Sequence, residues 1–569
     1  MKNPVHMQLN WFGPILLILL LCVANLLVMH YYIIYTCHVE SVNIFLYISN
    51  ALSTLFDIGC VFLIFYIVTG RRLKATLWFC FGVTLVWSLS NVVYSRFFNH
   101  YLTLSAIGQS DMLLNGWILR CIRGDLRWSD LYYVFSFVLG CSLLSKSFHI
   151  KRIPHLIRNL FVTLILFLIV YFIAYAGYSY LKHPSHFVSY FTNILEYRIT
   201  RTPASPIYSH FLRGEIRSLC VDAWLNSRGD LVLSENQKKA IEQTVEESRK
   251  ALSDSKAYIN PDNIIFIIVE SYISVLSDKK IGGREITPFL NSLKRDTSCY
   301  YNGKMRENIT MGKSSDGQLI YMTGLLPLRS MITVSKACKL SLPSLPKAFE
   351  RHSRMIIPTI KSVWEQDAMC RSYGFDRLYS SVDYGDGSYD LLDDEQLFRM
   401  ASQLDSAERK PFFSVILTMS MHEPYTDWKD STFIISAPPK QQEEAYYLNA
   451  CHYTDKQIGQ YIKWLKKIGI YENSLIVITS DHALHNSFFR GDYTDLPLYI
   501  IYSPGLPQMW NEECNQVDVY PTLLDLLGIE PRWCGLGTSL LSPNYNSNID
   551  SEKWDVSEWM LLSDFFMNR

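Results

Sequence analysis

Apolar and polar positions are unevenly distributed along this 569-residue chain. Up to about residue 180 they form long Leu/Ile/Phe/Tyr-rich runs with few charges; beyond it, short β-branched runs alternate with amphipathic ones. Five early runs, near 13–36, 43–69, 75–95, 129–146 and 156–178, approach the roughly 20 residues a helix needs to cross a bilayer. The fourth is diluted by Ser129, Ser136, Ser142 and Ser145. The first lacks a small-residue cleavage site and is followed by further spans, so it reads as a span rather than a signal peptide. Arg71, Arg72 and Lys74 separate spans two and three, and Lys146, Lys151, Arg152 and Arg158 separate four and five; no Lys or Arg separates one and two. That bias predicts a cytoplasmic N-terminus and an extracytoplasmic C-terminal half. Between spans three and four, Arg120, Arg123 and Arg127 alternate with Leu113, Leu114, Trp117, Ile118 and Ile122. This basic amphipathic pattern suits a helix lying in the lipid interface, or equally one packed on the catalytic half.

The later pattern is that of an α/β domain. Strand-like runs at Ile264–Val269, Phe413–Met419, Leu475–Thr479 and Leu496–Tyr502 alternate with helix-like stretches at Thr287–Asp296, after Ser314, at Asp393–Gln403 and at Gln442–Ile468. Such alternation predicts a largely parallel sheet covered by helices on both faces. Residues 179–260 read as a connection: Pro203, Pro206 and the run Arg198 to Arg201 are irregular, and Ser234 opens a capped, charged helix over Lys238 to Leu252. The expected organisation is a membrane part at 1–178, a linker at 179–260 and a catalytic part at 261–569.

Composition narrows the functions. Formal charge is zero and no basic stripe with interleaved aromatics occurs, so nucleic acid is not an expected partner. The thirteen cysteines are scattered without a CxxC pair, which argues against a zinc finger. Seven of them (Cys220, Cys299, Cys338, Cys370, Cys451, Cys514, Cys534) follow the membrane part, where disulfides are open to them outside the cytoplasm.

Three segments carry chemistry: Asn263-Ile-Ile-Phe-Ile-Ile-Val-Glu270, Gly312-Lys-Ser-Ser-Asp316 and Ser474-Leu-Ile-Val-Ile-Thr-Ser-Asp-His482. In the first and third, an apolar run ends abruptly on Glu270 and on Asp481-His482, as when a buried strand presents groups at its carboxyl edge. Carboxylates and an imidazole suit a hard-to-borderline cation, and the Ser314 hydroxyl suits a covalent step. Ser314 sits where a turn feeds a helix, a position that favours phosphate. Gly312-Lys313-Ser314 resembles the end of a P-loop, but position 307 is Glu rather than Gly, which argues against ATP. His422, past the strand at 413–419, is a candidate for protonating a leaving oxygen or binding a phosphate oxygen. His352, His452 and His485 are expected to be structural.

Together these segments resemble the alkaline phosphatase/sulfatase superfamily, and the whole chain resembles lipoteichoic acid synthase-like phosphoglycerol transferases. Further matches are Ile286-Thr-Pro-Phe-Leu-Asn-Ser-Leu, Tyr373-Gly-Phe-Asp, Tyr453-Thr-Asp-Lys and Val517-Asp-Val-Tyr-Pro-Thr-Leu-Leu-Asp-Leu-Leu-Gly528. The resemblance implies a five-helix transmembrane bundle followed by an extracytoplasmic sulfatase/alkaline phosphatase-like domain in the cell membrane. It implies one divalent ion, usually manganese with zinc or magnesium as alternatives, held by Glu270, Ser314, Asp481 and His482. It makes Ser314 the nucleophile, where the family usually has threonine, and places His422, Trp364 and Lys313 at the substrate. The implied donor is a membrane phospholipid, and the implied acceptor a cell-envelope glycan or lipid. Two positions depart from the phosphoglycerol pattern: Gln366 stands where the family has arginine and Thr359 where it has aspartate. Glutamine cannot copy bidentate guanidinium contacts to phosphate, so phosphoethanolamine is admitted as the head group. A membrane-anchored sulfatase or phosphodiesterase is a rival, although no C/S-x-P-x-R context surrounds Ser314 or any cysteine. A catalytically dead scaffold is a further rival, expected to have lost a metal ligand.

Overall fold

The computed structural model describes residues 4–36, 44–98, 100–107, 123, 127–145, 155–182, 207, 210–211, 213–227, 231–253, 259–329, 331–426, 428, 433–438, 441–484, 494–507, 511–563 and 565–566. Outside them lie most of the basic 97–128 segment, including Leu113, Trp117 and Arg120, together with the run Arg198 to Arg201, Pro203, Pro206 and His485. The chain forms two compact units, one of Met1–Gly108 with Asp125–Arg228, the other including Gly229–Arg569.

In the first unit the apolar runs form α1 (Pro4–Thr36), α2 (Ile44–Val68), α3 (Leu73–Phe98), α4 (Leu131–Ser145) and α5 (Leu156–Lys182). Among the described residues three stretches are long and apolar enough to cross a membrane: Gly13–Thr36, Tyr47–Val68 and Leu73–Phe97. The fourth helix has 15 residues, short of a full span, and the apolar stretch found in α5 is Leu156–Val170. Large apolar side chains such as Leu16, Leu20, Phe79 and Phe135 face outward, which suits lipid contact. Several polar groups turn inward and pair, since an unpaired polar group in hydrocarbon is costly. Ser136 donates to Asn25 Oδ1 at 2.8 Å, and Arg96 pairs with Asp130. Asp57 of α2 accepts the backbone N–H groups of Glu215 at 2.7 Å and Ile216 at 3.2 Å, closing the first turn of α6 (Glu215–Ser227). The Glu215 carboxylate in turn accepts from the Trp87 indole at 2.6 Å and from His210 at 3.1 Å.

The second unit opens with α7 (Glu235–Ser253). Ser234 Oγ accepts the Gln237 N–H at 3.3 Å while the Gln237 side chain accepts the Ser234 N–H at 2.9 Å, the reciprocal cap that the sequence predicts. Eight strands follow: β1 (Asn263–Val269), β2 (Cys299–Arg306), β3 (His352–Ile356), β4 (Arg377–Tyr379), β5 (Phe412–Leu417), β6 (Ser474–Ser480), β7 (Asp495–Tyr502) and β8 (Cys514–Asn515). They form one sheet in the order β8-β2-β7-β6-β1-β5-β3-β4. The run β6-β1-β5-β3-β4 is parallel, whereas β7 is antiparallel to both of its neighbours. Every residue of β5 and β6, and all of β1 after Asn263, is buried, so both faces of the central sheet are covered. The helices are α8 (Pro288–Leu293), α9 (Ser314–Thr323), α10 (Gln366–Tyr373), α11 (Asp394–Ala407), α12 (Gln442–Lys467), α13 (Val519–Leu526) and α14 (Ser551–Leu562).

Polar residues conceal β3 from a hydrophobicity reading, since Arg354 lies in its middle. The strand buries that arginine against Asp405 of α11, with the guanidinium carbon 4.4 Å from the Phe412 ring centre. Removing one partner of a buried pair strands the other charge, at about 3–5 kcal/mol. Arg354→Ala is therefore expected to lower the melting temperature markedly. An unchanged melting curve would show that Asp405 finds another partner.

Candidate active site

Glu270 directly follows β1 and Asp481 directly follows β6. Because Val269 pairs with Ser480, the two carboxylates leave adjacent strands side by side. The neighbouring pairing of Ile268 with Leu417 brings the exit of β5 to the same edge, where Thr418 Oγ1 accepts the Glu270 N–H at 3.0 Å. Ser271 ties the two acids together: its N–H donates to Asp481 Oδ1 at 2.9 Å and its hydroxyl to Glu270 Oε1 at 2.7 Å. The imidazole of His482 donates from Nδ1 to the Ala483 carbonyl at 2.8 Å, which turns Nε2 toward the acids, 3.4 Å from Glu270 Oε1. One donor atom from each of Glu270, Asp481 and His482 lies within 4.8 Å of the others, and all three residues are buried. Ser314, the first residue of α9, places its hydroxyl 3.3 Å from Glu270 Oε2 and 3.2 Å from His482 Nε2. All four residues singled out around a cation thus converge.

Electrostatics set these groups apart. Burial raises the Asp481 carboxyl above its ordinary range, and the Glu270 charge adds to the effect. Burial would raise Glu270 too, but its hydrogen bond to His482 and the imidazolium charge outweigh that and hold it low. His482 shows the converse: burial lowers it, yet Asp481 and Glu270 win and raise its pKa to about 9. Two buried acids with one imidazole, its free nitrogen fixed toward them, form a donor set that fits a divalent cation.

Lys313 stands next to Ser314 with φ 42° and ψ −110°, and its charge is felt by His482. His422, anchored by Nδ1 on the Glu423 carbonyl at 2.7 Å, is close enough for its charge to act on Glu270. Trp364 lies in a turn with left-handed backbone (φ 53°) just before α10. Its neighbour Gln366 donates to Gln318 Oε1 of α9 at 2.9 Å. Other left-handed residues adjoin the same groups: Ser271 beside Glu270, and Tyr425 after His422. Non-glycine residues in this region are strained and cluster at sites that require them. Sequence reading missed that signal. It also missed Ser271, Thr418, Gly317 and Asp316, whose Oδ2 accepts from Thr310 N, Thr310 Oγ1 and Gly312 N at 2.8–2.9 Å to brace the loop before Ser314. His352 and His452 play structural parts, on Glu408 at 2.7 Å and on the Ile286 carbonyl at 2.8 Å. The seven cysteines that follow the membrane part are free thiols.

Residues 262–529 match the model of the sulfatase family. This segment is a sulfatase domain. The sulfatase domain and the helices before it are together similar to lipoteichoic acid synthase of Staphylococcus aureus, with 26% identity over 522 residues, 85% of this chain and 77% of that protein. In fold the chain resembles the integral membrane protein lipooligosaccharide phosphoethanolamine transferase A of Neisseria meningitidis, at 13% identity and a TM-score of 0.53, covering 93% of this chain and 96% of the other. The lipoteichoic acid synthase LtaP from Listeria monocytogenes aligns with 57% of this chain and 98% of its own, at 20% identity and a TM-score of 0.46.

Close packing of the sulfatase domain yields a sharp test. A Cβ on Gly317 of α9 would stand 2.2 Å from the Asp481 carbonyl oxygen. Alanine inside a helix otherwise gains about 1 kcal/mol over glycine. Gly317→Ala is expected to keep a folded protein but to displace Asp481 from Ser314, lowering turnover about 10²-fold. Full activity in a folded variant would overturn this geometry.

Proposed function

We propose that this protein is a membrane-bound, metal-dependent transferase that moves a phosphoglycerol-type head group from a phospholipid to a cell-envelope glycan or lipid acceptor. The observation that carries the reading is the Ser314 hydroxyl within 3.3 Å of both Glu270 and His482, at a three-donor cluster. Residues 1–178 would supply five spans, 179–260 the connection and 261–569 an extracytoplasmic catalytic part. Similarity to lipoteichoic acid synthase over most of the chain supports the class of donor and acceptor. Spanning helices keep the enzyme at the surface in which a phospholipid donor resides.

Glu270, Asp481, His482 and Ser314 would hold one divalent ion, with manganese the first choice. When bound, such an ion supplies the Lewis acidity that makes a serine hydroxyl nucleophilic near neutral pH. Ser314 Oγ, partly exposed at the site, releases its proton to solvent and attacks the phosphorus of the head group. The bond from phosphorus to the diacylglycerol oxygen breaks, His422 protonates that oxygen, and a phosphodiester on Ser314 remains. The acceptor hydroxyl then attacks the same phosphorus, gives its proton to His422 and restores the serine. Lys313 offsets negative charge on the transferred group throughout.

A second reading, transfer of phosphoethanolamine, is favoured by Gln366. Its neutral amide, buried against Gln318, offers no guanidinium fork to a phosphate. Full-length protein in detergent with manganese and fluorescent phosphatidylglycerol or phosphatidylethanolamine should release diacylglycerol from one of them. Ser314→Ala should lose activity on the order of 10³-fold or more. The mass of the group trapped on Ser314 identifies the donor. Equal turnover by wild type and Ser314→Ala sinks the covalent mechanism, and turnover of neither lipid sinks the proposed donor class.

A further inference from the structure

Ser314 and the acids reach the site from different elements, so something must hold the nucleophile loop in register with the metal loop. Residues 307–313 connect β2 to α9, and residues 481–483 follow β6. Gln516, fully buried between β8 and α13, touches both. Its Nε2 donates to the Asp481 carbonyl at 2.7 Å, and its Oε1 accepts the Asn308 N–H at 3.1 Å. Asn308 answers by accepting the Val517 N–H at 3.1 Å, which fixes the Gln516 backbone. The same carbonyl of Asp481 packs against Gly317 of α9, so its peptide is seated between the nucleophile helix and the Gln516 amide. One residue away, Glu307 Oε2 accepts the Ala483 N–H at 2.8 Å, and Ala483 is the residue whose carbonyl orients His482.

Resting on the metal-site reading above, we infer that Gln516 is a positioning residue: one amide locks the loop bearing Ser314 to the peptide bearing Asp481. A neutral amide suits this place because it donates to a carbonyl and accepts from an N–H at once. No hydrophobic residue does either, and a carboxylate can only accept. Satisfying buried loop atoms is a role open to any internal glutamine, and it predicts lost stability alone. Holding a ligand's backbone predicts weaker metal binding as well, since partners behind the ligands typically govern affinity by about 10–100-fold.

The test uses the full-length chain in detergent, with Mn2+ affinity read by titration calorimetry or electron spin resonance alongside the melting temperature. Gln516→Leu removes both hydrogen bonds. Gln516→Glu, the milder change in shape, keeps the acceptor for Asn308 and sets an acceptor against the Asp481 carbonyl. Thr522→Val is the control. It removes a buried hydroxyl of α13 that donates to the Asp518 carbonyl at 2.6 Å and accepts the Leu540 N–H at 3.0 Å, without touching Asp481. Both Gln516 variants are expected to weaken Mn2+ binding at least tenfold, with turnover partly recovered at high Mn2+, while Thr522→Val lowers only the melting temperature. If either folded Gln516 variant binds Mn2+ as wild type does, Gln516 is a structural residue and the inference fails while the metal site stands. If Gln516→Leu does not fold, Gln516→Glu decides on its own. Wild type that binds no Mn2+ overturns the metal site itself and this inference with it.

Discussion

Two carboxylates held side by side in a buried site repel each other, and the catalytic architecture depends on how that repulsion is met. The parallel pairing of β1 with β6 forces the closeness, because Val269 and Ser480 are register partners and an acid follows each. Backbone N–H groups of Ser271 and His482 meet part of it at Asp481 Oδ1. The His482 imidazole meets another part, which is why burial fails to neutralise it. A divalent cation meets the remainder most completely, as its charge answers both acids at once. The same crowding that is costly in the absence of an ion gives affinity in its presence.

Around this centre the site is assembled from three exits of adjacent strands and one helix start. Glu270, Asp481 with His482, and the 418–422 segment leave β1, β6 and β5 at one edge, which is where ligands bind in open α/β sheets. Ser314 comes from elsewhere, on the first turn of α9. Its approach is set by close contacts rather than by a shared strand: Gly317 against the Asp481 peptide, Tyr321 donating to the Ser480 carbonyl at 2.6 Å, and Gln516 between the loops. Glu307, the residue whose presence argues against a P-loop, serves in this fold as an acceptor for the Ala483 N–H, just after Asp481 and His482.

The membrane-associated unit follows the opposite rule of solvation. Many of its apolar side chains face outward, and the buried acids Asp57 and Glu215 are held by hydrogen bonds from backbone N–H groups, Trp87 and His210. An acid inside α2 that closes the first turn of α6 gives the helices a fixed attachment point for the stretch that follows them.

Runs of apolar residues were enough to reveal the long helices at the start, the central strands and the strand-end residues Glu270, Asp481, His482 and His422, while Ser314 was read from the turn that feeds a helix. A fully buried parallel strand must be apolar throughout, so the charged residue that ends it stands out without any structure. Five spans were expected; among the described residues three stretches are long and apolar enough to cross a membrane, and the serine-bearing helix at 131–145 is shorter than a full span. Strands β2, β3, β4 and β8 were hidden: Arg354 and Lys304 are tolerated where a partner or an open edge receives them, and hydropathy records neither. β7 was expected as a strand at 496–502, but its antiparallel direction was not, since direction is a property of connections and not of composition. Tertiary structure alone decided that Ser271, Gly317, Glu307 and Gln516 matter. Their effect lies in contacts with residues far away in the chain, and distance in sequence carries no information about a hydrogen bond until the backbone has closed on itself.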